Sequence, residues 1–103
     1  MRLIKPGLRL KSAVCSTEVM VIRAPPGEAL IACGGAEMLG GSDAVPAGLA
    51  LDSKWAQGSL IGKRYVDPED RYELLCTKAG AGALSLGGVA LEIKQAKALP
   101  SSD

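Results

Sequence analysis

The sequence predicts a mainly β protein, a small single domain of short antiparallel strands and hairpins. Apolar residues alternate with a period of two at Leu8, Leu10 and again at Val19, Val21, which suits half-buried strands and not a helix. Turn-forming runs such as Pro6-Gly7, Pro25-Pro26-Gly27 and Gly87-Gly88 break the chain at short intervals. The 103 residues fit one domain, with roughly six to eight short strands by turn spacing.

Taken in order, Leu8, Leu10, Ser12 and Val14 form a first alternating run. Cys15-Ser16-Thr17 interrupts it as a tight turn or bulge. Val19 and Val21 resume on one face, with Met20 and Ile22 on the other. Ala24-Pro25-Pro26-Gly27 stops that strand, and Ala29 to Cys33 follows as a short apolar strand, so residues 17–33 read as a hairpin. From Gly34 to Gly62 no period survives, and 39–63 is set apart as a Gly-rich loop segment. A loop that long in a small domain is commonly a binding or contact segment, and Leu49, Leu51 and Trp55 are expected to tack it to the core or to a partner. Asp67-Pro68-Glu69-Asp70 suits one helical turn or a type I turn with solvated acids. Residues 64–95 form a C-terminal strand region: Tyr72 to Lys78, a turn at Gly80-Ala81-Gly82, then a hairpin from Leu84–Leu86 through Gly87-Gly88 to Val89–Ile93. The tail, 96–103, is polar at its end and expected to fray.

Composition excludes several function classes. Twelve basic residues against 11 acidic ones leave no basic stripe, so neither nucleic acid nor an anionic membrane is expected as a partner. Histidine is absent, which removes the commonest general base, the Ser-His and Cys-His pairs, and most zinc and non-haem iron enzyme sites. With no Phe, one Trp and two Tyr, the core has few large anchors, and oligomerisation is a common way for such a domain to gain buried area. The N-terminal M-R-L-I-K-P-G lacks the apolar region of a signal peptide, and no run of about 18 apolar residues is present. Three cysteines do not close a disulfide framework, so reduced thiols and a cytoplasmic location are expected.

Two motifs fail on inspection. Gly58-Ser59-Leu60-Ile61-Gly62-Lys63-Arg64 has too few residues between its glycines for a phosphate loop, Arg64 stands in place of the needed Ser or Thr, and no long helix follows. Asp67, Glu69 and Asp70 lack the alternating spacing and distal Glu of a calcium loop. The cysteines are harder to place. Cys15, Cys33 and Cys76 each follow apolar residues, where cysteine acts as a small buried hydrophobe. Cys15 and Cys33, however, run straight into turn residues, Ser16 and Gly34-Gly35, as knuckle ligands do where backbone N–H groups point at a thiolate.

Residues 10–38, L-K-S-A-V-C-S-T-E-V-M-V-I-R-A-P-P-G-E-A-L-I-A-C-G-G-A-E-M, resemble the desulforedoxin module that also begins desulfoferrodoxins. In the resemblance Cys15 matches the second cysteine of a Cys-x-x-Cys knuckle. Val19, Val21 and Ile22 match its strand and Pro25-Pro26-Gly27 its turn. Leu30, Cys33, Gly34 and Met38 match its closing segment. The resemblance implies a knuckle-like hairpin over 10–38 and an iron or zinc site. Yet Ser12 and Ala32 stand where two of the four thiolates belong, so a tetrahedral S₄ site cannot form from these positions in one chain. Superoxide reduction, which relies on histidine ligands in that family, is excluded.

The leading expectation is a non-catalytic cytosolic accessory or structural subunit that works through protein partners or a homo-oligomer, with Trp55 and Met38 as contact residues and no cofactor. The alternative is a zinc or iron protein, or a thiol-redox protein, using Cys15, Cys33 and, in some arrangements, Cys76 or cysteines shared across an oligomer interface. A third possibility is a small-ligand binder with the long loop over a β-sheet pocket.

Overall fold

A computed structural model describes residues 2–41 and 43–94. The fold is all-β, and the strands are shorter and more numerous than expected. Among the described residues are β1 (Arg2–Leu3), β2 (Arg9–Lys11), β3 (Glu18–Arg23), β4 (Glu28–Ala29), β5 (Ile31–Cys33), β6 (Ala36–Glu37) and β7 (Leu39–Gly40). Then follow β8 (Arg64–Val66), β9 (Glu73–Lys78), β10 (Leu84–Leu86), β11 (Val89–Ala90) and β12 (Glu92–Ile93). A six-stranded sheet has the order β12-β8-β9-β3-β2-β7, a four-stranded sheet the order β11-β10-β5-β6, and β1 pairs with β4. All pairings are antiparallel. The 96–103 tail lies outside the described residues.

The larger sheet is built on β3 and β9. Val19 and Val21 turn inward and are buried, opposite Cys76 and Leu74 respectively, while Met20 and Ile22 are half-buried on the other face. The register of this pair shifts at Glu18/Val19 and again at Val21/Arg23, irregularities that locally raise the twist. In the smaller sheet Ile31 and Cys33 of β5 face the core, paired with Leu86 and Leu84 of β10. Ile4, Leu10, Met38 and Leu74 complete a core of aliphatic and sulfur side chains with Tyr65 and Tyr72 at its margin.

Three expectations change. The 17–33 hairpin does not form: β3 pairs with β2 and β9, while β5 pairs with β10 and β6 in the other sheet. The apolar alternation of both strands is satisfied by separate partners, which period-two patterning alone does not specify. The strand over 89–93 divides. Gly87 and Gly88, at φ +58° and +86°, make the expected tight turn, and β11 returns along β10. The chain then crosses at buried Leu91, and β12 joins β8 of the larger sheet. The 39–63 segment is not featureless. It starts with β7 along β2 and carries a 3₁₀ turn at Ser53–Trp55 capped by the Asp52 carboxylate. It closes with a bridge from Ser59 to Gly80.

Of the acids expected in a solvated turn, Glu69 and Asp70 are exposed, but Asp67 is not. Asp67 is buried, and its carboxylate accepts the amides of Arg71, Tyr72 and Glu69, which shapes the loop into β9. Burial raises its pKa, but those three amide bonds outweigh it and hold the carboxyl below the usual range. Glu73 is buried at the start of β9 and meets Lys94 at 2.9 Å, Arg64 at 3.1 Å and Arg23 at 3.4 Å. The Lys94 ammonium foremost, with both guanidinium groups, keeps its carboxyl low against the effect of burial. One carboxylate thus ties β3, β8 and the residue after β12 to β9.

Because both carboxyls are depressed in the folded chain, their stabilisation is present above the unfolded carboxylate range and is lost as pH falls through the folded values. Unfolding midpoints in urea are expected to hold from neutral pH down to about pH 5 and to drop below about pH 4.3. Glu73→Gln should cost about 1–2 kcal/mol at pH 7, modest because its cationic partners are 41–57% exposed and screened. That cost should shrink in acid. An unchanged midpoint at pH 7 would show that the cluster contributes nothing.

Candidate functional site

The candidate site lies where three segments meet: residues 12–17 between β2 and β3, residues 33–35 after β5, and residues 80–82 between β9 and β10. Ser12 begins it. Its amide donates to the Thr17 carbonyl at 2.8 Å, closing the 12–17 turn. Its Oγ accepts the amides of Val14 and Cys15, each at 3.1 Å. A serine hydroxyl that takes up the amides two and three residues ahead stabilises a tight turn without any metal. The turn presents Cys15, half-buried, with its Sγ 3.2 Å from Ser12 Oγ and 3.3 Å from Thr17 Oγ1.

Cys33 arrives from the other sheet. It ends β5, is fully buried, and its Sγ lies 3.7 Å from that of Cys15. The amide of Gly34 donates to Ala83 at 3.0 Å, and the amide of Gly82 points at Cys15 Sγ at 3.4 Å. Residues 80–82 therefore form a roof over both sulfurs, and it is made of bare backbone. A Cβ at Gly80 would fall 2.3 Å from Thr17 Oγ1 and 3.0 Å from Cys15 Sγ. At Gly82 it would fall 2.9 Å from Cys33 Sγ. Ser59 holds the roof from outside by donating to the Gly82 carbonyl, and the Trp55 carbonyl accepts the Ala83 amide.

The two thiols have different characters. Burial pushes the Cys15 thiol up, but hydrogen bonding with the Ser12 and Thr17 side chains and with the Thr17 and Gly82 amides more than reverses this, bringing it to about 7. Burial dominates at Cys33 and lifts it to about 11, with the hydroxyl of Thr17 opposing and the neighbouring Cys15 charge adding. Near neutral pH Cys15 is thus partly ionised, beside a protonated, buried Cys33 thiol.

Of the residues singled out from sequence, Cys15 and Cys33 come together. The expected reason was closure of a 17–33 hairpin; the actual one is the packing of two sheets. Cys76 is buried in β9 and donates its thiol hydrogen to the Lys78 carbonyl at 3.2 Å. Among the described residues no three His, Cys, Asp or Glu side chains converge as a metal-binding group. The donors around the paired sulfurs are two thiols and two hydroxyls, which do not fit the four-thiolate centre that the resemblance implies. Met38, expected at a contact surface, is fully buried in the core, while Trp55 is half-exposed in the 3₁₀ turn. Thr17, Gly80 and Gly82 were not foreseen. Ser12-x-x-Cys15 was the available signal, once the serine is valued as an amide acceptor and not only as a missing ligand.

Compared with family models, with curated proteins and with solved structures, the chain matches none.

Ser12→Ala removes the acceptor of two backbone amides at a nearly buried position and should destabilise the fold by about 1–3 kcal/mol. It should also move the Cys15 thiol upward. Alkylation rate against pH is expected to show a midpoint near the value of about 7 in the native chain and a clearly higher one in the variant. A coincident pair of profiles would show that the hydroxyl does not support the thiolate.

Proposed function

We propose that the chain acts through a paired-thiol redox site in which Cys15 and Cys33 interconvert between dithiol and disulfide. The observation that carries this reading is the 3.7 Å contact between the sulfur of half-buried Cys15 and that of fully buried Cys33. Loss of two protons and two electrons to an oxidant joins the two sulfurs, and a reductant returns both. Cys15 is the sulfur that meets the oxidant, because it is the less buried and more acidic thiol. Cys33 completes the bond from within the protein. The desulforedoxin-like pattern of residues 10–38 is consistent with this reading: the knuckle turns hold sulfur, and the thiolate charge is met by hydrogen bonds instead of a cation.

The test is oxidation of the reduced chain with diamide, a small neutral diazene that accepts the two electrons and two protons. Peptide mapping should find a single Cys15–Cys33 disulfide and a free Cys76. The bond closes a loop across an 18-residue separation and should raise stability by about 3 kcal/mol. Three free thiols after treatment, or a disulfide through Cys76, would sink the proposal.

A second reading, self-association, is favoured by an apolar groove of about 490 Å³ lined by Trp55, Leu60, Tyr65, Leu84, Leu91 and Ile93. Leu60 on its wall is 54% exposed. Sedimentation velocity should find a dimer that Leu60→Asp dissolves; a monomer at all concentrations in the native chain would rule this reading out.

A further inference from the structure

We propose that the segment carrying Trp55, residues 52–59, is a redox-responsive element: joining Cys15 to Cys33 loosens it and alters the apolar groove that it borders. This rests on the paired-thiol reading above. The attachments of the segment supply the first argument. Apart from Ser59, none of its residues is buried, and the 3₁₀ turn at Ser53–Trp55 buries no side chain. With so little apolar burial, its position depends on its hydrogen bonds. Among the described residues, every hydrogen bond that leaves 52–59 ends on Gly34, Gly80, Gly82 or Ala83. The Asp52 amide donates to the Gly34 carbonyl at 3.0 Å, and the Ala83 amide donates to the Trp55 carbonyl at 2.8 Å. The Ser59 amide donates to the Gly80 carbonyl at 2.9 Å, and the Ser59 hydroxyl donates to the Gly82 carbonyl.

Those partners belong to the backbone that holds the sulfurs, which is the second argument. Gly34 directly follows Cys33. The Gly82 amide points at Cys15 Sγ at 3.4 Å, and a Cβ on Gly82 would lie 2.9 Å from Cys33 Sγ, so the roof rests against both sulfurs. The segment therefore straddles two pieces of backbone. One is the end of β5 at Gly34, and the other is the roof from Gly80 to Ala83.

Disulfide formation acts on both pieces. The sulfurs stand 3.7 Å apart and must close to about 2.05 Å, which draws the end of β5 and the 12–17 turn together beneath the roof. A disulfide sulfur carries no charge, so the Gly82 amide also loses the thiolate that it faces in the reduced chain. A shift of Gly34 relative to residues 80–83 falls on the segment bonded to both. Its two states are docked, in the dithiol, and released, in the disulfide. Trp55, Gly58 and Ala83 line the apolar groove, so release changes the wall of that groove.

The experiment compares amide hydrogen exchange in the full-length chain, reduced or treated with diamide, at neutral pH. Diamide takes two electrons and two protons from Cys15 and Cys33 and leaves as the hydrazine. A disulfide that stabilises the fold slows exchange within the sheets, and the Cys76 amide, bonded to the Lys63 carbonyl, reports this. The amides of Asp52, Ser59 and Ala83 should run against that trend and exchange about tenfold or more faster in the oxidised chain. Acrylamide quenching of Trp55, the only tryptophan, should rise with them. Cys15→Ser treated with diamide should show neither change. Where peptide mapping finds the Cys15–Cys33 disulfide, unchanged or slower exchange at Asp52, Ser59 and Ala83 would overturn the redox-responsive segment and leave the paired-thiol reading standing. The same acceleration in Cys15→Ser would overturn it too. If diamide does not join Cys15 to Cys33, the paired-thiol reading itself falls.

Discussion

Gly82 passes so close to the end of β5 that the arrangement of the two larger sheets turns on the hydrogen it carries in place of a side chain. A Cβ there would lie 2.8 Å from the Gly34 nitrogen and 2.9 Å from both Gly34 Cα and Cys33 Sγ, distances that no real methyl tolerates. Gly80 makes the same approach to Thr17 from the other end of the roof. These contacts let residues 80–82, the link between β9 of one sheet and β10 of the other, run directly over the 12–17 turn. Because the link is short and the approach is close, the two sheets meet at the sulfurs. The site is therefore a consequence of how the sheets are joined, not an addition to a finished scaffold.

The asymmetry between the sulfurs follows from the same geometry. Cys15 stands on a turn that sets the Ser12 and Thr17 hydroxyls beside its sulfur, and the Gly82 amide reaches the same sulfur from the roof. Cys33 is the last residue of a buried strand, where its backbone is committed to pairing with Leu84 and Ala36 and its side chain is sealed. Hydrogen bonding favours the charged form of one thiol, and desolvation disfavours that of the other. Two cysteines of the same intrinsic acidity are thereby separated into a half-buried, more acidic thiol and a buried, less acidic one.

A second constraint lies at the opposite end of β9. Glu73 begins the strand inside the protein and draws Arg23, Arg64 and Lys94 around it, while Asp67 shapes the preceding loop through three amides. Both acids belong to the framework. Their work is to set where β9 starts, and β9 in turn delivers residues 80–82 to the thiols.

By itself the sequence determined the β character of the chain and most of its punctuation. Val19 and Val21 had to share one face of their strand and Met20 and Ile22 the other, because side chains alternate with a period of two, and Gly87-Gly88 had to turn because glycine alone enters positive φ without steric cost. It also marked Cys15 and Cys33 by the turns that follow them. Only the tertiary structure decided which strands pair, since alternation states that a strand has a buried face and not what covers it. For that reason the hairpin expected over 17–33 gave way to two sheets, and the strand at 89–93 divided between them at Leu91. The same limit hid Glu73 and Thr17, whose roles come from partners up to 50 and 63 residues away. It hid Gly80 and Gly82 as well: a Gly-Ala-Gly run reads as a flexible turn until the chain segment lying against it is known.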